Sequence, residues 1–188
     1  MVYRNLREQQ PTLPWTKAIW IVGGIPKHGF LAWLFALNRN PTRDRLHHWG
    51  LATATDCLLC ANHMESRDHL YFECAYSWEL WSIFAGRLGL TPARDWEGSL
   101  NQMQNLTGNK FWKRILLLYW QATIYWTWME RNCRLHRNTT RTVASMFPLI
   151  DRLMKEKILS VRDSNPASSS SLMQVWLQAI DGGYSQGN

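Results

Sequence analysis

The sequence predicts a mainly α protein: a small helical domain organised around one cluster of three cysteines and a histidine, followed by a long-helix extension. Three observations carry this. Apolar residues recur at helical spacing along nearly the whole chain. No run alternates as a strand, apart from a few residues around the first cysteine pair. Cys57, Cys60, His69 and Cys74 fall within 18 residues of each other. Composition agrees, since 46% hydrophobic and 19% charged residues describe a globular chain. Twelve Trp supply enough buried area per residue for a tightly packed helical module.

Trp15, Ala18, Ile19 and Val22 share a face, and Gly23-Gly24 ends that helix. Pro26 opens a second helix at a position proline favours. Its residues Phe30, Leu31, Trp33, Leu34 and Leu37 are apolar on most sides, which predicts burial. Asn40-Pro41-Thr42 punctuates the next start, and a short helix led by Thr42 to Leu46 stops at Gly50. After Cys74, residues Trp78, Trp81, Ile83, Phe84 and Leu88 outline an amphipathic helix that Gly89 and Pro92 end. Residues 91–109 read as a polar connection with one or two helical turns. A long helix follows from Lys110 to His136, with Trp112, Ile115, Leu116, Tyr119, Thr123, Trp126 and Met129 as its stripe. Arg131, Arg134 and Arg137 gather at its end, where cations complement the helix dipole. Thr142 to Arg162 reads as a further helix. Asn165 to Ser171 reads as a Ser-rich linker, and Leu172 to Ile180 as a short helix before a frayed tail.

The net charge of +7 is unevenly spread. Residues 1–56 carry +4 and residues 57–109 carry −3. Residues 110–162 hold eleven Lys/Arg against three Asp/Glu, a net +8. A polyanion is drawn to that part of the chain, although a solvated helix face has the same charge pattern. Three of the four Cys lie in one window with two His, which points to metal and a reducing, intracellular compartment rather than a disulfide scaffold. The N-terminus has no apolar signal-peptide core. Gly23 to Pro26 breaks the first apolar stretch, and Ile115 to Met129 is too short to span a bilayer, so no membrane is expected.

The metal window reads Cys57-Leu58-Leu59-Cys60, eight residues, His69, four residues, Cys74. Two Cys separated by two residues can turn both sulfurs to one centre, and the second pair folds back over them. Asp68 to Phe72 reads as a short helix that presents the imidazole, with Cys74 where that helix terminates. Three thiolates and one imidazole complete a tetrahedron around Zn²⁺, at about 2.3 Å for sulfur and about 2.0–2.1 Å for nitrogen. Four protein ligands leave no position open for water or substrate, so one structural zinc is expected and no catalytic residue. His63 is the rival to His69, but it lies three residues after Cys60, close to the turn. Cys133 and His136 lack two further ligands and read as an ordinary packed Cys beside a polar neighbour.

These residues carry a family resemblance. Cys57 to Cys60, followed by Glu65-Ser66-Arg67-Asp68-His69-Leu70-Tyr71-Phe72-Glu73-Cys74, resembles the zinc-binding domain downstream of plant LINE-type (non-LTR) reverse transcriptases. Trp15 to Trp20, Ile25 to Phe30 with Trp33, and Leu37 to Leu46 with Trp49-Gly50 resemble that domain's helical lead-in. Ile124 to His136 is similar to the C-terminal extension of the same polyproteins. The divisions expected are a lead-in over 1–12, the zinc-binding domain over 13–90, a connection over 91–109, a basic helical extension over 110–162, and a linker and tail over 163–188. Those polyproteins place an endonuclease and a polymerase ahead of this segment. The present chain begins almost at the zinc domain and contains no Asp-Asp dipeptide. Two-metal nucleotidyl transfer needs clustered carboxylates, so polymerase and nuclease activity are not expected to carry over.

The resemblance implies a non-catalytic accessory domain that holds RNA or DNA, with no small-molecule substrate. Its candidate contacts are Arg131, Arg134, Arg137 and Arg141, with Lys27, Arg43 and Arg45 as a second patch. Trp33, Trp81, Trp112 and Trp126 stand at helical spacing and read as core rather than base-stacking surfaces. Two alternatives stay open: a protein-interaction module, and a retroelement relic without selected activity.

Overall fold

The computed structural model describes residue 13 and residues 15–182. The lead-in expected over residues 1–12 and the end of the expected tail, from residue 183, lie outside the described residues. The helical periodicity becomes α1 (Thr16–Ile19), α2 (Pro26–Ala36), α3 (Arg43–His48), α4 (Ala75–Arg87), α5 (Trp96–Gln104), α6 (Lys110–Arg137), α7 (Val143–Leu159) and α8 (Pro166–Ile180). Extended pairing among the described residues is limited to one antiparallel bridge, Asp56 with Met64, beside the first cysteine pair.

The long helix α6 is the axis of the packing, and α2, α4, α7 and α8 all rest against it. Its apolar residues reach around most of the cylinder, with Trp112, Ile115, Leu116, Tyr119, Trp120 and Ile124 all buried. Several of the polar atoms that enter with this aromatic core find partners. Trp112 Nε1 donates to Leu88 O at 2.7 Å, Trp120 Nε1 to Ser99 Oγ at 2.8 Å, and Tyr71 Oη to Ile124 O at 3.2 Å. Gln121 Nε2 donates to Ala18 O at 2.9 Å and Ile19 O at 2.7 Å, satisfying carbonyls at the end of α1.

Several expectations need correction. Helix α1 is one turn long, and Val22 is 91% exposed instead of sharing its buried face. Phe30 on α2 is 52% exposed, and Trp33 and Trp126 are only partly buried; Trp81 and Trp112 are core, as expected. The connection over 91–109 holds a nine-residue helix, α5. Asp95 caps it by accepting from the Gly98 N–H at 2.6 Å, and Trp96, Leu100 and Met103 anchor it in the core. The serine run is the start of α8 and not a linker. Asn165 caps this helix through the Ser168 N–H at 2.9 Å, Pro166 takes its first turn, and buried Ser169 donates to Ile158 O at 2.9 Å. The boundary expected between a zinc domain ending at 90 and an extension beginning at 110 is not a boundary in the packing. Cys57, Tyr71, Phe72 and Cys74 belong to the same buried cluster as the core of α6, α7 and α8.

Candidate metal centre

The first half of the centre is built by residues 55–65. The Cys57 N–H donates to His63 O at 2.7 Å, Glu65 N–H to Thr55 O at 2.8 Å, and Ala61 N–H to Cys57 O at 2.8 Å. Ala61 takes a left-handed conformation, φ +57°, which closes the loop around the two sulfurs. The Leu59 N–H points at Cys57 Sγ, 3.4 Å away. The second half differs from the short helix expected over Asp68 to Phe72. His69–Glu73 forms one wide turn, closed by the Cys74 N–H on His69 O at 2.7 Å, with Tyr71 and Phe72 in non-helical backbone. Cys74 is extended and stands directly before α4, so it opens a helix where it was expected to end one. Leu70, Tyr71 and Phe72 all turn into the core along this turn.

The structure brings together Cys57, Cys60, His69 and Cys74, with one ligand atom of each within 4.8 Å of all the others. A tetrahedral zinc with three thiolates requires sulfurs about 3.8 Å apart, from bonds of about 2.3 Å. Cys57 Sγ and Cys74 Sγ stand 3.9 Å apart, and Cys60 Sγ stands 3.3 Å from His69 Nε2. The donor set therefore fits zinc in both spacing and chemistry. Cys57 and Cys74 share a hydrogen bond, which, with burial, pushes the Cys57 thiol well up. The same bond, helped by N–H groups of Tyr76 and Ser77 at the start of α4, holds Cys74 below the usual thiol range. Burial, with His63 nearby, lowers the His69 pKa and favours the neutral imidazole that ligates metal.

His63 lies beside this group, its ring 5.2 Å from that of His69, and lines a cavity of about 380 Å³ with Glu73, Arg94 and Asp95. Cys133 and His136 are not part of any potential metal cluster among the described residues.

The candidate basic contacts separate into two kinds. Arg131 is buried, and its guanidinium forms a two-pronged pair with Glu65, so the structure corrects its reading as a surface contact. Arg134 Nε donates to buried Glu130 at 2.8 Å, while its Nη1 holds Leu58 O at 3.1 Å and Leu59 O at 2.8 Å. These two arginines clamp the cysteine loop onto α6. Arg43 and Arg45 are half-buried; Arg43 donates to Asp56 O, and Arg45 lies over the Trp49 ring at 5.1 Å. Arg137, Arg141 and Lys27 are exposed, with the Lys27 ammonium 4.9 Å from the Tyr125 ring centroid. Sequence reasoning missed Glu65 and Glu130. The available signal was an acid inside the metal window and a single acid in the apolar long helix.

The fold and the cluster define a helical domain in which three cysteines and a histidine are placed to hold a metal ion. Over residues 1–81 the chain matches a protein family described as zinc-binding in reverse transcriptase. That match covers the whole cluster and ends within α4, leaving α5 to α8 beyond it. No curated protein and no solved structure matches the chain. Among the described residues, no helix is long and apolar enough to cross a membrane.

Proposed function

We propose that this chain is a non-catalytic domain, held together by one structural Zn²⁺ on Cys57, Cys60, His69 and Cys74, that binds RNA or DNA through its exposed cations. The finer affinity, to the domain downstream of plant LINE-type reverse transcriptases, rests on the residues from Cys57 to Cys74 and their helical flanks. The observation that carries nucleic-acid binding is how the charges of residues 110–162 divide between surface and interior. Of the three acids there, Glu130 is buried, and Asp151 is turned inward to Tyr119 at 2.6 Å and Arg87 at 3.1 Å. Only Glu156 faces water, alongside Arg137, Arg141, Arg152, Lys155 and Arg162. The exposed charges of this stretch are thus predominantly positive, which is the footprint a polyanion reads.

The zinc supplies cross-linking of two loop segments, and the four side chains leave it no site for substrate. The test is binding of the zinc-loaded chain to duplex and single-stranded oligonucleotides across a salt series. Phosphate contacts release counterions, so the logarithm of affinity should fall linearly with that of salt, by about 0.7–0.9 per contact. A flat salt response would instead favour a protein-interaction module. Primer extension or strand cleavage that co-purifies with the chain would overturn the non-catalytic reading.

A further inference from the structure

Three aromatic rings, two of which helical periodicity would place in the core, lie together at the surface of α1 and α2. Trp20 is 50% exposed and Phe30 52%, and both rings approach partly buried Trp33, at 6.3 and 5.6 Å between centroids. Beside them runs an apolar groove of about 380 Å³, walled by Trp20, Val22, Ile25, Pro26 and Gly29. The segment that carries these rings has charge of one sign. From Leu13 to Arg43 the sequence has no Asp or Glu, while Lys17 and Lys27 are both exposed.

The groove does not end blindly. Val22 and Gly23 also line a second cavity of about 280 Å³, whose wall includes Arg114, Lys157 and Ser168 and no acid. Arg114 approaches so closely that a Cβ on Gly23, at φ +66°, would stand 2.6 Å from its Nη2. Its Nη2 makes one long hydrogen bond, 3.4 Å to Gly23 O, and its Nε is shielded from water without a hydrogen-bond partner. With one long bond from its terminal nitrogens, the guanidinium keeps donors for an anionic oxygen.

We infer that Trp20, Phe30 and Trp33 form a base-stacking platform for single-stranded nucleic acid, and that the adjoining Arg114–Lys157 pocket receives one of its phosphates. This rests on the nucleic-acid reading above and specifies the form of ligand. A protein partner would be met as well by aliphatic side chains, whereas rings on a segment whose charged residues are all cations match unstacked bases on a phosphate backbone. Duplex has its bases stacked internally and offers the rings nothing.

The zinc-loaded chain is titrated with oligouridine of about 12 nucleotides, and with duplex of the same length. In one variant, W20L/F30L, apolar cover is kept and the ring faces are lost. Single-strand affinity should fall at least about tenfold, with duplex affinity unchanged. In R114A/K157A the single-strand salt slope should become shallower by about 0.7, the value for one phosphate. Photo-crosslinking of bromouridine-substituted oligomer to the wild-type chain should map to the peptides holding Trp20 and Phe30, independent of any variant's folding. Unchanged single-strand affinity in W20L/F30L, or crosslinks confined to other helices, would overturn the platform and leave general binding standing. Failure of the wild-type chain to bind either nucleic acid would overturn both readings.

Discussion

Arg131 Nη2 lies 2.8 Å from Glu65 Oε1, with the two side chains 3% and 0% exposed. Glu65 sits between the two halves of the metal window, and its carboxylate also accepts the N–H groups of Arg43 at 3.1 Å and Leu58 at 3.4 Å. The end of α6 is therefore tied to the cysteine loop and to the start of α3 through one buried charge. Such a pair confers little net stability over an apolar equivalent, but breaking it leaves a bare charge inside the protein.

Replacing Arg131 with Ala should lower unfolding free energy by about 3–5 kcal/mol, the cost of an uncompensated buried carboxylate. Denaturant unfolding of the zinc-loaded chain measures this. Loss below about 1 kcal/mol, within the range of surface pairs, would show that water reaches the pair.

One Zn²⁺ should be bound per chain. Cys57→Ser, Cys60→Ser, His69→Ala and Cys74→Ser should each lose tight binding, while His63→Ala should retain it. Metal analysis after dialysis decides, and full zinc content in His69→Ala with none in His63→Ala would reverse the assignment.

Chelation should lower the unfolding temperature of the whole chain in one transition. The ligand loops share the core of α6, so binding free energy released at the metal is withdrawn from the entire fold. Circular dichroism at helical wavelengths follows it. Two separated transitions, with α6 to α8 melting apart from the metal region, would restore the two-part organisation expected over 13–90 and 110–162.

Arg137→Ala/Arg141→Ala should leave zinc untouched, lower stability by no more than about 1 kcal/mol, and flatten the duplex salt slope by about 1.8, the value for two phosphate contacts. Arg134→Ala should behave oppositely, lowering the unfolding midpoint, because its partner Glu130 is fully buried. A salt slope that is the same in the double variant and the wild type would remove these two residues from the proposed contact surface.

Acid should destabilise the fold through His28. Burial first, then neighbouring Lys27, lowers its pKa from 6.5 to about 3. The ring is stacked on Tyr125 at 4.4 Å, and both its nitrogens are buried without hydrogen-bond partners. The folded state keeps it neutral, while the unfolded chain takes up a proton below its ordinary pKa. Stability is therefore full above that value and falls as pH drops toward about 3. Between about pH 7.5 and 5.5 this residue should account for about 1.4 kcal/mol. His28→Phe keeps the stacking and should lose that much less over the same interval. The zinc ligands titrate alike in both proteins, so an equal acid loss would exclude His28 as its source.

The sequence by itself determined most of the helices and the four metal-ligand candidates. Helix periodicity, Pro26 and Gly23 are local signals, and the order Cys57, Cys60, His69, Cys74 is readable because ligand spacing is set by short-range chain geometry. Only the tertiary structure decided which charges and which rings meet water. Arg131 and Arg137 are both cations on one helix, yet a distant carboxylate, Glu65, draws the first into the core and leaves the second outside. Phe30 and Phe35 share α2, but Phe35 meets Tyr71 and Trp128, while Phe30 is half exposed. The serine run from 168 to 171 has weak helix propensity and folds as helix because α6 and α7 offer a surface to pack on. Burial depends on which elements are neighbours, and that is fixed by contacts tens of residues apart, which a local pattern does not encode.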